Sequence, residues 1–523
     1  MAKKKTQSAQ AEMLPDAPAR NQPITETIET NYMPYVMSVI ISRAIPEIDG
    51  FKPAHRKILY TMYKMGLMSG PRTKSANVVG QTMRLHPHGD AAIYETMVRL
   101  TKDHEALLHP FVDSKGSFGK QYSADAFAAP RYTEVRLMPI CAEIFSGIDR
   151  NAINMIDNYD GTTKEPELLP TTFPNILVTP NKGIAVGMAS NICSFNLAEI
   201  CDGTIEVLKN PTVDVDRILE LVKAPDFAGG GNLIYNRESL TEVYKTGVGS
   251  VRLRARYTYD PAANCIDVVE IPYSTSIDAI IKKITDMIKE GKLKEVVDIR
   301  DEIDLSGFKL TMDLRRGTDP EQLMNKLYKC TPLEDSFPCN FNVLIDKVPR
   351  TMGIIDILKE WITFRIGCVR RELTFDLGKK KEKLHLLLGL GKILLDIDKA
   401  IRIIRETKLE KNVVPNLMEG FGIDEVQAEF IAEIKLRHLN REYILGKVKE
   451  IEDLQKQIAD LEETLSSDQK VKKHIISQLK EIKEKYGIPR KTRIIYEHEI
   501  GEYVEDNTVE NYPVRLVFTA HGY

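Results

Sequence analysis

Apolar residues in the first part of the chain repeat at the spacing of an amphipathic helix. Within residues 54–65, one helix face carries four of them: Ile58, Leu59, Met62 and Met65. Glycines and a proline follow and end this helix. A second short helix is predicted over residues 75–83, and a third after Gly89, with Asp90 as its N-cap. Short helices joined by turns in a basic stretch are typical of a module that reads DNA.

The pattern changes to alternation in the middle of the chain. Between residues 251 and 257, apolar side chains alternate with three arginines, which predicts a strand with one buried face. These arginines either line DNA or face water. An amphipathic helix is predicted over residues 277–288. We therefore expect a mixed α/β unit over residues 161–346.

Two long stretches in the last third have apolar residues at alternating steps of three and four, the pattern of a coiled-coil seam. Helices are predicted over residues 368–408 and 444–485, each about 60 Å long at ~1.5 Å per residue. A compact insert, residues 410–440, lies between them. The expected geometry is a long antiparallel hairpin with a small helical knob at its tip. The two seams are Leu387, Leu390, Leu394, Ile397, Ile401 and Ile404, and Ile451, Leu454, Ile458, Leu461 and Leu465.

Composition narrows the class of protein. A chain of 523 residues with 43% hydrophobic and 28% charged residues is typical of a globular protein with several domains. The sequence has no apolar run long enough to span a bilayer. Its seven cysteines form no CxxC pair, which argues against a zinc site and favours a reducing, cytoplasmic location. The net charge of −3 does not exclude nucleic acid, because local clustering decides binding.

A basic cluster lies between residues 43 and 74. Only Glu47 and Asp49 oppose its seven cations, and His55 adds a hydrogen-bond donor. Such a stretch can neutralise DNA phosphates with little sequence preference, although a solvated helix face is the alternative. The cations are Arg43, Lys52, Arg56, Lys57, Lys64, Arg72 and Lys74.

Two histidines, His86 and His88, precede the helix predicted after Gly89. Their place beside a helix N-terminus suits phosphate binding or proton transfer. Metal ligation lacks a third ligand at a usual spacing. A structural role for the pair is the alternative.

Tyr132 lies between Arg131 and Arg136 in a segment, residues 127–137, that is predicted to be extended. A tyrosine phenol is a poor nucleophile unless it is helped, and flanking guanidinium groups favour the phenolate and stabilise an attacked phosphate. Neighbours on a strand point to opposite faces, so Arg131 and Tyr132 share a phosphate only if the backbone is irregular there. A half-buried strand tyrosine is the alternative.

Six stretches of the sequence together resemble the A subunits of bacterial type IIA topoisomerases, DNA gyrase and topoisomerase IV. The resemblance covers residues 25–523. The stretches are YVMSVI at residues 35–40, KPAHRK at 52–57, HPHGD at 86–90, PRYTE at 130–134, GIAVGM at 183–188 and LYK at 327–329.

The resemblance implies an α+β multidomain fold. Residues 1–30 would be a mobile N-terminal arm and residues 31–160 a winged-helix DNA-cleavage domain. A mixed α/β tower domain would span residues 161–346. A long antiparallel coiled coil with a small helical dimer gate would span residues 347–500. Residues 501–523 would begin the connection to a C-terminal DNA-wrapping domain beyond this sequence.

The resemblance also implies the activity. Tyr132 would attack one strand of double-stranded DNA and form a 5′-phosphotyrosyl link, while its copy in a homodimer cuts the other strand. A second duplex would pass before religation. The B subunit, in an A₂B₂ heterotetramer, would hydrolyse ATP and hold most of the Mg²⁺ ligands, leaving no metal site in this chain. The complex would act on the nucleoid in the cytoplasm.

Residue roles follow by matched position. Arg131 and Arg43 would stabilise the phosphate and the phenolate. Ile184, which by itself reads as a core strand residue, would wedge between base steps and bend the DNA. The residues implied to hold the cleaved duplex are Lys52, His55, Arg56, Lys57, Lys74, His86 and His88.

Two positions depart from the family pattern. Asn77 replaces an arginine, which weakens one phosphate contact. Ala91 replaces the serine or threonine that, with an acidic residue four positions later, holds the hydrated Mg²⁺ of a quinolone drug. Here that acidic residue is Glu95, and positions four apart share a helix face.

Two other functions are compatible with parts of the pattern. A structural coiled-coil protein that binds DNA would carry no DNA-linked tyrosine. A tyrosine recombinase would need a dispersed Arg-His-Arg set and a 3′ link, and it would leave the long hairpin unexplained. Gyrase and topoisomerase IV are not separated by these residues.

Overall fold

The computed structural model describes residues 23–87, 89–302, 308–394, 396–435, 441–501, 515 and 519–520. His88, most of the expected N-terminal arm and most of residues 501–523 therefore lie outside the described residues. From Ile24 the chain is helical. The fold is mixed α+β, with several sheets and one long helical hairpin.

The first part of the chain packs short helices against a small sheet in the order β1-β3-β2. Turns of π-helix cover Ile28–Tyr32 and Ile40–Ala44, and a 3₁₀ turn covers Ile148–Arg150. The helices are α1 (Ile24–Thr27), α2 (Met33–Val39), α3 (Pro53–Lys64), α4 (Ser75–Thr82), α5 (Asp90–Arg99) and α6 (Cys141–Ile144). The strands are β1 (Thr73–Lys74), β2 (Val112–Lys115), β3 (Glu134–Leu137), β4 (Met155–Asp157) and β5 (Lys164–Pro166).

The three helices predicted from periodicity, α3, α4 and α5, are confirmed within one or two residues. The predicted N-cap of α5 is wrong. Gly89, with φ −55° and ψ 137°, is the N-cap, and Asp90 is the first helical residue. Its carboxylate accepts a hydrogen bond from the N–H of Ala91 at 2.9 Å, so it still serves a free N–H group of the first turn.

The middle of the chain builds two sheets. One has six strands in the order β17-β8-β9-β14-β7-β6, and the other has four in the order β10-β11-β13-β12. The helices are α7 (Asn175–Val178), α8 (Leu197–Lys209), α9 (Val215–Leu221), α10 (Arg237–Thr246), α11 (Ile277–Lys289) and α12 (Pro320–Cys330). The strands are β6 (Asn181–Ile184), β7 (Ala189–Ile192), β8 (Asn232–Tyr235), β9 (Val248–Arg254), β10 (Arg256–Asp260), β11 (Cys265–Glu270), β12 (Val296–Asp301), β13 (Leu310–Leu314), β14 (Glu334–Asn340), β15 (Asn342–Ile345), β16 (Val348–Thr351) and, from the end of the chain, β17 (Arg493–Tyr496).

The alternation between residues 251 and 257 is confirmed as a strand with one buried face, and the chain passes there from one sheet to the other. The three arginines form ion pairs with glutamates. Arg254 contacts Glu334 at 2.6 Å, Arg252 contacts Glu497 at 3.0 Å, and Arg256 binds Glu270. They therefore link strands to one another and to the 3₁₀ turn Glu497–Glu499.

Two hydrophobic cores group these elements, and each core joins elements that are far apart in the chain. The larger core joins the first part of the chain to the six-stranded sheet, the start of the long helix Ile354–Leu394 and the helix Asp468–Tyr486. The four-stranded sheet, with α11 and α12, has a core of its own. The core continues across the expected domain boundary at residue 160, which stays a prediction.

The last part is mainly helical. Its helices are α13 (Ile354–Leu394), α14 (Ile397–Glu406), α15 (Val413–Phe421), α16 (Glu425–Ala432), α17 (Arg441–Ser466) and α18 (Asp468–Tyr486). Side-chain contacts run in opposite directions along the two arms, which makes the hairpin antiparallel. They join Lys383 to Glu450, Arg370 to Asp468 and Arg365 to Gln478.

The seam is confirmed over part of its length. Leu387, Leu390, Leu454 and Ile458 are buried, but Ile401 and Ile404 are 39% and 41% exposed. Beyond residue 394 the chain starts α14, and the Asp396 carboxylate caps it by accepting from the N–H of Lys399. The seam therefore leaves the hairpin where a capping side chain begins a new helix.

The second arm is also two helices, not one, because it breaks at Ser467. Serine and aspartate favour helix starts over helix interiors, and Ser466, Ser467 and Asp468 stand together there. The predicted knob is confirmed, since α15 and α16 share a small core with the end of α13.

Within the described ranges, no helix combines the length and apolarity needed to cross a membrane.

Candidate active site

Tyr132 lies in a turn that precedes β3, not in a strand. Of the segment predicted as extended, only Glu134–Leu137 is a strand. The N–H of Tyr132 donates to the carbonyl of Ala129 at 2.9 Å, and the side chain is 66% exposed. The guanidinium carbon of Arg131 lies 4.7 Å from the centre of the Tyr132 ring. The irregular backbone thus brings both side chains together.

The N-terminus of α4 fastens this turn. The N–H of Ser75 donates to the carbonyl of Thr133 at 3.0 Å, and the N–H of Ala76 donates to that of Pro130 at 3.1 Å. The first N–H groups of a helix have no partner within the helix, so they are available for such contacts. Both carbonyls flank Tyr132, and the turn is held while the phenol stays exposed.

Arg136 does not serve Tyr132 as the sequence interpretation allowed. Its Nε atom donates to Asp113 at 2.7 Å, and Arg72 and Lys102 each contact the same carboxylate at 2.6 Å. Burial alone would raise the pKa of Asp113, but hydrogen bonds from Lys102 and Arg136 hold it below its ordinary value. Arg136 is committed to this ion cluster because it lies on β3, beyond the turn.

Lys52 and His55 lie at the start of α3, in a positively charged setting. The ammonium of Lys52 donates to the carbonyl of Lys182 at 2.6 Å. Burial, with a smaller effect of the Arg99 charge, lowers the pKa of Lys52 to about 8. Burial and the charges of Lys52 and Arg99 lower the pKa of His55 to about 3, so this imidazole is neutral near pH 7.

A further cation near Lys52 and His55 is Arg99, which the sequence pattern does not single out. It is exposed at the last turn of α5, outside the basic stretch, and only the fold brings its charge to Lys52 and His55. A pattern of one basic residue closing a helix is too common to have identified it.

Arg56, which is expected among the DNA-binding residues, is bound to two acidic side chains. Its guanidinium is buried, with Nε 2.8 Å from Asp49 and a terminal nitrogen 2.6 Å from Glu47. These partners raise its pKa further above the ordinary arginine value, against the effect of burial. The two acidic residues that looked like a minor offset to the basic cluster are its partners, and Arg56 does not face the surface.

Lys57 is also largely engaged. Its ammonium donates to the carbonyl of Leu85 at 2.7 Å and lies 3.3 Å from Glu165. The side chain is 18% exposed. Lys57 therefore contacts the segment just before His86, and its expected contact with a phosphate stays a prediction.

The remaining expected contacts lie nearer the surface. Arg43 is exposed in the π-helical turn, and His86 is half-buried. Lys74 is exposed and contacts Glu134 at 2.8 Å, and its hydrogen bond lowers the pKa of that carboxyl. His88 lies outside the described residues.

Ile184 is 77% exposed at the end of β6, so its interpretation as a core residue is wrong. It pairs with Ala189 across a tight hairpin. The hairpin is held from its other side, where its loop packs against buried apolar residues of the first part of the chain: Ala185, Val186 and Met188 against Val36, Ile40, Ala44 and Ile45. The structure thus supports the hairpin while leaving one large aliphatic side chain in solvent.

The two positions that depart from the family pattern are exposed. Ala91 and Glu95 lie one turn apart on α5. Asn77 donates to the hydroxyl of Thr73 at 3.2 Å, a local contact within its own helix start.

Among the residues that the structure describes, no three His, Cys, Asp or Glu side chains are grouped as metal ligands. Glu134, close to Tyr132 in the chain, is already paired with Lys74.

Comparison with known proteins decides the family. A profile of the DNA gyrase/topoisomerase IV A-subunit family matches residues 43–480. The chain belongs to this family. The DNA gyrase A subunit of Borreliella burgdorferi is 38% identical over 509 residues, which cover 96% of this chain and 62% of that protein. The DNA gyrase A subunit of Metamycoplasma arthritidis is 39% identical over 477 residues, 90% of this chain and 53% of that protein.

A third relative, the DNA gyrase A subunit of Halalkalibacterium halodurans, is 37% identical over 508 residues, 96% of this chain and 60% of that protein. The chain thus spans less than two thirds of the length of each of these family members. The match includes the turn with Arg131 and Tyr132, the hairpin with Ile184 and most of the helical hairpin.

Proposed function

We propose that this chain is the DNA breakage-reunion subunit of a type IIA topoisomerase and that Tyr132 is its nucleophile. The observation that carries the proposal is an exposed tyrosine, with a guanidinium over its ring, on a turn fixed at both ends by a helix N-terminus. Membership of the family of A subunits supports the same reaction.

In the proposed reaction, the phenolic oxygen of Tyr132 attacks a DNA phosphorus and displaces the 3′ oxygen. The phenol loses its proton, the 3′ oxygen gains one, and a 5′-phosphotyrosyl ester replaces one phosphodiester bond. Because one ester replaces another, religation is the same exchange in reverse and needs no ATP. Arg131 and Arg43 would stabilise the charge on the phosphate and on the phenolate.

The duplex would lie across the surface that carries the exposed Lys74 and Arg99, the half-buried Lys52 and His86, and the Ile184 hairpin. Lys52, Lys74, His86 and Arg99 would contact phosphates, and Ile184 would enter a base step and bend the duplex. Arg56 and Lys57 would support this surface from behind. His55, neutral near pH 7, would donate or accept a hydrogen bond without adding charge.

We propose three domains for this chain. Residues 31–160 would be the winged-helix cleavage domain, residues 161–346 the tower, and residues 347–500 the coiled coil and dimer gate. Two copies would pair, each cutting one strand, and two B subunits would complete an A₂B₂ complex in the cytoplasm. These B subunits would hydrolyse ATP and hold most of the Mg²⁺ ligands.

Covalent trapping tests the proposal. The full-length chain, reconstituted with its B subunit, Mg²⁺ and plasmid, should retain protein on cut DNA when detergent is added. The link should be at the 5′ end, and Tyr132→Phe should abolish it while leaving DNA binding within about twofold. Trapping that persists in Tyr132→Phe would refute the assignment, and a 3′ link would point to a recombinase.

Supercoiling separates the two enzymes that remain within the family. A full-length complex that introduces negative supercoils into relaxed plasmid with ATP is a gyrase. A complex that decatenates and relaxes without supercoiling is a topoisomerase IV.

A further inference from the structure

Three buried hydroxyl groups meet beside the turn that carries Tyr132. The Thr133 hydroxyl lies 2.7 Å from the Ser75 hydroxyl and 2.9 Å from the hydroxyl of Tyr94, both within hydrogen-bond distance. The Tyr94 hydroxyl donates in turn to the carbonyl of Ala128 at 2.7 Å. Ser75 and Thr133 have no exposed surface, and Tyr94 is 3% exposed. Ser75, Thr133 and Tyr94 are called the hydroxyl triad below.

The hydroxyl triad joins three separate elements. Ser75 begins α4, Tyr94 lies in α5, and Thr133 directly follows Tyr132. The hydrogen bond to Ala128 also holds the segment that precedes the turn. Both sides of the turn are thus held through side chains, in addition to the backbone contacts from α4.

Tyr132 itself has little to hold it. Its side chain is 66% exposed, and the cation over its ring is on the same turn. The direction of the phenolic oxygen must therefore be set by the neighbouring backbone. Thr133 is the adjacent residue. Its side chain is buried and hydrogen-bonded, whereas the side chain of Tyr132 is exposed.

The Thr133 side chain lies close to the backbone of Gly116. A Cβ atom on Gly116, which has φ +117°, would lie 3.1 Å from the Thr133 methyl group. The tyrosine ring of Tyr94 packs edge-on against Phe127, with ring centres 5.4 Å apart. Among the residues that the structure describes, the three hydroxyls contact one another and the carbonyl of Ala128.

We propose that Thr133 is a positioning residue for the nucleophile, with Ser75 and Tyr94 as its anchors. This inference rests on the proposed function of Tyr132 and deepens it. The hydroxyl triad fixes the turn so that the phenolic oxygen is aligned with the attacked phosphorus. Alignment of this kind is sensitive, since a misplacement of about 1 Å costs roughly a hundredfold in rate.

The competing role is purely structural, in which the triad only satisfies buried polar groups. Both roles predict some loss of stability when a hydroxyl is removed, since an unpaired buried partner is left behind. They differ in the rate of the covalent step on DNA that is already bound. They also differ in whether serine, which keeps the hydroxyl, restores that rate.

The test compares Thr133→Val with Thr133→Ser in the full-length chain reconstituted with its B subunit. Thr204→Val is the matched control, because Thr204 is also fully buried but its hydroxyl donates only to the carbonyl of Ile200 in its own helix, at 2.6 Å. The readouts are the single-turnover rate of covalent complex formation at saturating DNA and the DNA concentration that gives half that rate.

We expect Thr133→Val to slow covalent complex formation about tenfold to a hundredfold, with religation slowed as well. The half-saturating DNA concentration should change less than threefold. Thr133→Ser and Thr204→Val should stay within about threefold of the parent rate. A Thr133→Val rate equal to that of Thr204→Val, or a loss that appears only in the half-saturating concentration, overturns the inference.

Tyr94→Phe provides a second route if Thr133→Val does not fold. It keeps the ring and removes the hydroxyl, and it should slow the covalent step with little change in DNA binding. Combined with Thr133→Val, it should add less than its separate effect, because both act on one contact. Additive losses would contradict a shared role. A parent complex that forms no covalent link would refute the proposed function itself, whereas a parent that links DNA normally beside unaffected variants refutes only this inference.

Discussion

The guanidinium carbon of Arg131 lies 4.7 Å from the ring centre of Tyr132, and both residues lie on one turn. A cation at this distance is attracted to the face of the ring. It also lies where it can meet a phosphate that approaches the phenolic oxygen. The group that contacts the ring in the free protein is therefore the one that is proposed to stabilise the reacting phosphate.

Replacing Arg131 with glutamine should lower the rate of DNA cleavage at saturating DNA by about a hundredfold to a thousandfold, as expected for a lost charge-stabilising donor. DNA affinity should fall less than tenfold, because other cations remain. Arg136→Gln is the control, since Arg136 is bound to Asp113 and should affect thermal stability more than rate. Equal rate losses in the two variants would contradict the assignment.

Ile184→Ala should reduce DNA bending and cleavage more than DNA binding. Unstacking a base step costs a few kcal/mol, which is offset by contacts that only bent DNA makes. Fluorescence transfer between the ends of a short duplex measures the bend. Val297→Ala, at another exposed aliphatic residue, should have no effect. Unchanged bending in folded Ile184→Ala would exclude the wedge.

The low pKa of Lys52 predicts a pH dependence of DNA binding. Burial and Arg99 lower this pKa to about 8, so the free protein loses the Lys52 charge as pH rises through 8. A phosphate that binds Lys52 favours the charged form, so binding above pH 8 should take up a proton and weaken by up to tenfold per pH unit.

Calorimetry in two buffers of different ionisation enthalpy measures that proton uptake at pH 8.5. Lys52→Gln should remove it and flatten the pH dependence of affinity. Lys74→Gln is the control: it removes another cation proposed to bind DNA and should leave the uptake in place. An uptake that persists unchanged in Lys52→Gln would assign the pH dependence to another group.

Periodicity predicted the local elements well because helices and strands show their buried faces in the sequence. It predicted α3, α4, α5 and α11 within one or two residues. It did not predict partners that are far apart in the chain. Arg56 and Lys52 look alike in a basic stretch of the sequence. In the structure, Arg56 is buried against Asp49, whereas Lys52 contacts the carbonyl of Lys182 and is proposed to bind a phosphate.

The site shows the same limit. The segment around Tyr132 has the composition of a strand. In the structure it forms a turn, because two of its carbonyl groups accept hydrogen bonds from N–H groups at the start of α4. Ile184 reads as a core residue because aliphatic side chains usually are buried, and only the packing of its hairpin leaves it exposed. The resemblance to a family supplied what periodicity could not.

The tip of the helical hairpin carries exposed apolar side chains that predict a dimer contact. Ile401, Ile404, Leu409 and Val426 are 39% to 61% exposed, and exposed apolar surface is typical of protein–protein contacts. Val426→Glu should weaken self-association at least tenfold by light scattering. Val448→Glu, at an exposed position on an arm of the hairpin, should leave it unchanged. A chain that is monomeric at micromolar concentration would contradict the expectation of a homodimer.

Ala91 predicts weak poisoning by quinolones. The family resemblance implies that a serine or threonine hydroxyl here, with an acidic group four residues later, holds waters of the Mg²⁺ bound to the drug. Glu95 is present and exposed on the same face of α5, so half of that anchor remains. Loss of one water-mediated contact to a charged group costs about 1–3 kcal/mol, or roughly tenfold to a hundredfold in affinity.

Ala91→Ser should therefore lower the drug concentration that gives half-maximal cleavage complexes by about tenfold or more. Cleavage and religation without drug should be nearly unchanged, because Ala91 has no part in the hydroxyl triad that holds the turn of Tyr132. In a Glu95→Ala background the serine should give little gain, since a single remaining ligand holds the hydrated ion poorly. A gain of the same size in both backgrounds would mean that the hydroxyl acts without Glu95. Equal drug sensitivity of the parent and Ala91→Ser would mean that this site holds the drug through other contacts.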